Sequence, residues 1–158
     1  MMEEKEKAWK TVSSKYLFSR PWLTVRCEDM LLPNGNHIPE YYILEYPDWV
    51  NTIAITKDGK FVFVRQYRPR LGRTSYELCA GVCDKEDASP LVSAQRELWE
   101  ETGYGKGNWQ EYMVISANPS THTNLTHCFL ATNVEPIDHQ HLEDTEDLSV
   151  HLLTFEEV

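Results

Sequence analysis

The residues best suited to chemistry lie in one short run, Arg96-Glu97-Leu98-Trp99-Glu100-Glu101-Thr102-Gly103-Tyr104. Glu97 and Glu101 are four residues apart, which on a helix puts both carboxylates on one face with Glu100 beside them. A bare like-charge pair at that spacing costs a helix about 0.2–0.5 kcal/mol. Carboxylates in the last two turns also face the negative end of the helix dipole, at a cost of about 0.3–1 kcal/mol each. Hard cations such as Mg²⁺ bind carboxylate oxygens and would remove both penalties. The plain alternative is a solvated acidic face, as charge runs commonly are. The spacing alone leaves both readings open.

A helix over 90–102 must carry these residues. Ser89 is suited to the N-cap, Pro90 to the first helical position, and Gly103 to a left-handed C-terminal residue. Leu91, Ala94, Leu98 and Thr102 form a packed stripe, from which Glu97, Glu100 and Glu101 stand off on an acidic face. Around it the pattern predicts strands. Segments 21–31 and 37–46 flank Pro33-Asn34-Gly35-Asn36 as a β-hairpin. Segments 50–56 and 60–67 flank the turn Lys57-Asp58-Gly59, and 60–67, apolar on both faces, reads as a central strand covered on each side. Further strands are expected near 109–115, 125–132 and 148–153. Thr154-Phe155-Glu156-Glu157 has the Thr-x-x-Glu arrangement that starts a helix, with Val158 after it.

The chain of 158 residues suits one structural unit overall, read as N-terminal strands at 1–46, a possible dimerisation region, followed by a domain at 47–158. With 41% hydrophobic residues and no apolar run of membrane-spanning length, a soluble protein without a membrane partner is expected. Fifteen Lys and Arg against 25 Asp and Glu give a net charge of −10, the opposite of a polynucleotide-binding footprint, so no polymeric nucleic acid partner is expected. Phosphates would have to be handled by local Arg groups and cations. Cys27, Cys79, Cys83 and Cys128 form no Cys-x-x-Cys pair and read as free thiols in a reducing compartment. The charged start Met-Met-Glu-Glu-Lys-Glu-Lys carries no apolar signal segment, so the expected location is cytoplasmic.

The run Arg96 to Tyr104, with Gly81 upstream, resembles the Nudix box, a glycine loop followed by a metal-binding helix. Glu77-Leu78-Cys79-Ala80-Gly81, preceded by Arg65-Gln66-Tyr67-Arg68-Pro69, is similar to the ADP-ribose and nucleotide-sugar pyrophosphatase branch of that family. The resemblance extends from about Trp9 to Val158. It implies an α/β/α sandwich with a mixed β-sheet and an N-terminal antiparallel hairpin region. It also implies a homodimer whose N-terminal strands contribute to the partner's site. The residues it carries over are Glu97, Glu101, Glu100 and the carbonyl of Ala80 as ligands of Mg²⁺ or Mn²⁺, with Arg96 orienting the glutamates. Arg68 would grip the diphosphate, with Glu77 and Pro119 on the substrate side. Alignment on Leu148 and Val150 makes Glu146 the catalytic base of the acidic loop 143–147.

Two positions depart from the family pattern: Ala88 stands where the loop glutamate is expected, and Cys79 where a proline is usual before Ala80-Gly81. Asp87 or Glu86 are the nearest substitutes for the former. The implied reaction is hydrolysis of ADP-ribose to AMP and ribose 5-phosphate. GDP-mannose or another nucleoside diphosphate sugar is the alternative substrate, and a module that senses ADP-ribose without cutting it is the alternative of another class. Tyr41, Tyr42, Trp22 and Trp49 could stack on a base, although each reads first as a core or strand residue.

Overall fold

The computed structural model describes residues 7–158. Two compact units form, the first comprising the chain up to Tyr46 with Ser116–Asn124, the second Pro47–Ile115 with Leu125–Val158.

The first unit is an antiparallel three-stranded sheet in the order β1 (Lys10–Arg20), β2 (Leu23–Leu31), β3 (His37–Glu45). The expected hairpin is β2–β3, closed by Gly35 N–H donating to Leu32 O at 3.0 Å, with Gly35 at a φ of 86°. Pro21 and Trp22 form the turn into β2 rather than its first residues. The sequence reading missed β1, although Thr11, Val12, Tyr16 and Phe18 are good strand formers. Its eleven residues are all exposed, so no in-out alternation marks it. Leu44 N–H donates to Thr121 O at 2.8 Å, which ties the 116–124 segment to this sheet.

The second unit is one mixed sheet with the central path β11 (Leu148–Leu153), β5 (Phe61–Arg68), β4 (Trp49–Thr56), β10 (Thr126–Pro136), β8 (Tyr104–Gly105). Strand β6 (Arg73–Glu77) pairs with β5, β7 (Cys79–Val82) with β4, and β9 (Asn108–Ile115) with β10. β10 runs parallel to β4 and the other pairs are antiparallel. β4 and β5 pair only next to their turn, at Ala54–Val62 and Ile55–Phe61, and then part. Beyond that point β5 takes β6 and β4 takes β7, so Arg73–Val82 fills the space where the sheet splits. Neither β6 nor β7 was predicted, because each is too short to show a period.

Helix α1 (Pro90–Thr102) has the predicted bounds and caps. Ser89 Oγ accepts from Val92 N–H at 3.4 Å, and Gly103, at a φ of 73°, donates its N–H to Trp99 O at 2.8 Å. Ala94 and Leu98 are buried against Val50, Ala54, Val62, Val64, Phe129 and Ala131 of the sheet, as the predicted stripe requires. β5 is internal to the sheet, with Val62 and Val64 buried on the helix side and Phe61 and Phe63 half-buried on the other. Among the described residues the Thr154–Glu157 segment is a single turn, in which Glu157 Oε2 accepts from Thr154 N–H at 2.8 Å. Trp22, Tyr42 and Trp49 are exposed rather than core residues. All four cysteines are free thiols, Cys79 and Cys128 being buried. No helix among the described residues is long and apolar enough to cross a membrane.

Candidate active site

The acidic face of α1 lies over the split in the sheet, and this overturns one part of the expected picture. Glu101 does not stand off the packed stripe but is buried, at 5% exposure, and Glu97 is largely covered. The sequence signal was ambiguous because Glu101 is adjacent on the helical wheel to Leu98 and Ala94. What admits the carboxylates is the backbone of β7. A Cβ on Gly81 would fall 2.1 Å from the carboxyl carbon of Glu97. Only glycine therefore lets that carboxyl reach the strand. One residue earlier, Ala80 N–H donates to Glu101 Oε2 at 3.3 Å.

Burial has a direct electrostatic consequence, since it disfavours the charged form. It pushes the Glu101 carboxyl up to about 8, with the neighbouring Glu97 and Glu146 charges raising it further against the Ala80 N–H. Burial likewise pushes Glu97 up to about 7, with Arg96 opposing and Glu100 and Glu146 reinforcing the rise. Glu146, on the loop between β10 and β11, thus acts on both helix carboxylates although it is about forty-five residues further along the chain. Its own carboxylate accepts from Glu143 N–H at 2.9 Å.

Arg96 joins the helix to the preceding loop. Its Nη1 donates to Glu97 at 3.0 Å and to Glu100 at 2.9 Å, and its Nη2 donates to Val82 O and Asp87, both at 3.0 Å. Burial opposes its charge, but Asp87, Glu97 and Glu100 together hold the guanidinium firmly protonated. Asp87 Oδ2 also accepts from Ser93 Oγ at 2.8 Å. The loop carboxylate nearest to Ala88 is therefore committed to fixing Arg96, a role the sequence reading did not assign; the acidic stretch Asp84-Lys85-Glu86-Asp87 before the cap was its only signal. Glu86 and Ala88 are exposed. Cys79 is buried and its thiol is held well above its usual range by burial and then by Glu101. It is an inert neighbour of the carboxylates.

Arg68 and Glu77 face each other across the β5–β6 hairpin. Arg68 Nε donates to Glu77 Oε1 at 2.8 Å and Nη2 to Oε2, a two-pronged pair that Gln66 Nε2 joins at 3.3 Å. Hydrogen bonding to Glu77 raises the Arg68 guanidinium, and the Glu101 charge adds to it. Arg68 is half-exposed, and the pairing could not be foreseen without β6. Ala80, Glu97, Glu100, Glu101, Arg96, Glu146, Arg68 and Glu77 all belong to the second unit. Pro119 belongs to the first, in a turn where His122 N–H donates to Asn118 O at 2.9 Å.

This combination of a mixed sheet, one capped helix carrying carboxylates and a glycine beneath them defines a class. The NUDIX domain family matches residues 46–158, and the chain belongs to the Nudix family. A second family, the nucleoside diphosphate sugar hydrolase N-terminal domain, matches residues 9–44. Among curated relatives, an ADP-ribose pyrophosphatase of Bacillus subtilis (strain 168) is 32% identical over 149 residues, covering 94% of this chain and 80% of the relative. A methanol dehydrogenase activator of Bacillus methanolicus is 31% identical with the same coverage. The crystal structure of an ADP compounds hydrolase superposes with a TM-score of 0.82 at 19% identity, covering 97% of this chain and 82% of that one, a likeness of fold.

Proposed function

We propose that the protein is a Nudix hydrolase that splits the diphosphate of ADP-ribose into AMP and ribose 5-phosphate with Mg²⁺, Mn²⁺ being the alternative ion. The observation that carries this reading is the burial of Glu97 and Glu101 against Gly81 and Ala80, within the field of Glu146. Burial raises these carboxylates to about 7 and about 8 even though Arg96 donates to Glu97, and an all-oxygen donor set suits a hard divalent cation. Glu97, Glu101, Glu100 and the carbonyl of Ala80 would hold it. In an extended strand a residue's N–H and C=O face the same side, so the Ala80 N–H donated to Glu101 supports a carbonyl on that side too. When bound, such an ion polarises the diphosphate oxygens and makes a water more acidic.

The chain's own residues supply the rest. Arg96 holds Glu97 and Glu100 in place through paired hydrogen bonds. Glu77 fixes the guanidinium of Arg68, whose planar fork suits the oxygens of a diphosphate. Glu146, on an exposed loop, takes the proton of the attacking water. Pro119 is proposed on the substrate side. The relatives support ADP-ribose over GDP-mannose, and the retained carboxylates support an enzyme over a module that only senses the nucleotide.

We place the protein in the cytoplasm, which suits its four free thiols, and assign it a homodimer. β1 supports the dimer: among the described residues it pairs with β2 alone, and Val12, Tyr16, Leu17 and Phe18 are all exposed on it. Sedimentation showing a monomer at working concentration would remove the dimer. For the activity, purified protein with Mg²⁺ is offered ADP-ribose, GDP-mannose and further nucleotide sugars, with products resolved by chromatography. AMP from ADP-ribose at the highest kcat/KM is expected, falling at least about a hundredfold in Glu101→Gln. A folded protein that leaves the whole panel intact would overturn the reading.

A further inference from the structure

A second cluster with the chemistry of a metal site lies past the C-terminal end of α1, apart from the carboxylates above. Asp138, His139 and His141 bring one carboxylate and two imidazoles together, with one ligand atom of each lying within 4.8 Å of the others. His139 Nδ1 lies 2.7 Å from Asp138 Oδ1, and His141 Nε2 lies 3.0 Å from Asp138 Oδ2. These are hydrogen-bond separations, so the three side chains already converge, and a bound ion would replace those hydrogen bonds as their common partner.

The cluster is built on fixed backbone. Ile137 and Asp138 donate their N–H groups to Gly103 O at 2.9 and 3.1 Å. The Asp138 carbonyl oxygen lies 2.2 Å from where a Gly103 Cβ would be, so the glycine that caps α1 also admits this segment. His141 N–H donates to Glu100 O at 2.8 Å, and Gln140 Nε2 to Glu101 O at 2.7 Å. The His141 ring lies on the Trp99 ring, with centroids 4.1 Å apart, and the His139 ring lies on His141 at 4.3 Å. The backbone at this end of α1 presents carbonyl oxygens, the negative end of the dipole, which favours a cation.

We propose that Asp138, His139 and His141 bind a borderline transition-metal ion of the Zn²⁺, Ni²⁺ or Cu²⁺ class through one carboxylate oxygen and two imidazole nitrogens. Nitrogen donors select such ions over Mg²⁺, whose preference is for oxygen alone. The two sites therefore divide divalent cations by ligand softness. The segment that carries this cluster continues into the loop bearing Glu146, so occupancy would tie that loop to the end of α1. The inference is independent of which substrate is cut.

The test uses untagged protein with millimolar Mg²⁺ present to occupy the carboxylate site, and Ni²⁺ as the probe. Ni²⁺ next to the His141–Trp99 stack is expected to quench tryptophan fluorescence at one equivalent, in wild-type and in Glu101→Gln alike. Trp99→Phe should abolish that quench while calorimetry still detects one bound Ni²⁺. His139→Ala should weaken Ni²⁺ at least about tenfold, the loss expected when a ligand or its support is removed; its side chain is 78% exposed, so folding is spared. The proposal fails if folded wild-type protein binds no Ni²⁺ in the micromolar range. It also fails if Ni²⁺ binding survives His139→Ala and His141→Ala unchanged, or disappears in Glu101→Gln.

Discussion

β1 and β5 are both rich in β-branched and aromatic residues, and they end in opposite environments. Every residue of β1, Phe18 included, is exposed, whereas Val62 and Val64 of β5 are at 0% and 1%. β1 is hydrogen-bonded along one edge, to β2, whereas β5 is paired on both sides, yet pairing alone dries neither face. A sheet face becomes dry only where another layer lies on it, and in the second unit that layer is α1. The same cover that stabilises the sheet raises Glu97 and Glu101, so core and candidate site are one construction. In the three-stranded sheet, among the described residues, the side chains of β1 stay exposed.

Substitutions can break this contrast. Leu98→Ala, in the fully buried stripe, is expected to cost about 2–5 kcal/mol in denaturant unfolding. Phe18→Ala in β1 should stay within about 0.5 kcal/mol under conditions where the chain is monomeric. Equal losses would mean that β1 is covered after all. Gly81→Ala, which puts a Cβ into the Glu97 carboxyl, should reduce kcat/KM about a hundredfold, as displacements near an ångström do. The expected change in melting temperature is small by comparison; a parallel collapse of both would make Gly81 a folding residue only.

Titration sharpens the comparison further. Glu97 and Glu101 are raised from 4.5 to about 7 and about 8, so the folded state prefers them protonated. Their contribution to stability is complete below pH 4.5 and is lost as pH rises through 7 and 8. The metal-free protein should therefore melt lower at pH 8.5 than at pH 6 by roughly several degrees. Glu101→Gln should flatten that fall, and Mg²⁺ should reverse it in the wild type; a pH-independent melting temperature would contradict the burial. The smallest effect expected is Ser89→Ala, about 1 kcal/mol for loss of the N-cap, read by thermal unfolding.

Much of the site was legible in the sequence because it is local. Ser89, Pro90 and Gly103 fix the bounds of α1, and the spacing of Glu97, Glu100 and Glu101 fixes their shared face. The Asn34-Gly35 and Asp58-Gly59 turns place the hairpins for the same reason, since positive φ is a property of single residues. β1, β6 and β7 were invisible: one has no dry face to impose alternation, and the others are too short to show it.

What the sequence by itself determined is the capped helix, its acidic face, the family and the glycine beneath it. Tertiary structure alone decided that Glu101 is buried, that Asp87 fixes Arg96, that Arg68 meets Glu77, and that Glu146 acts on carboxylates far from it in the chain. The physical reason is that caps and turns act within a few residues. Desolvation and charge–charge interaction depend instead on which distant strands the chain brings over those residues.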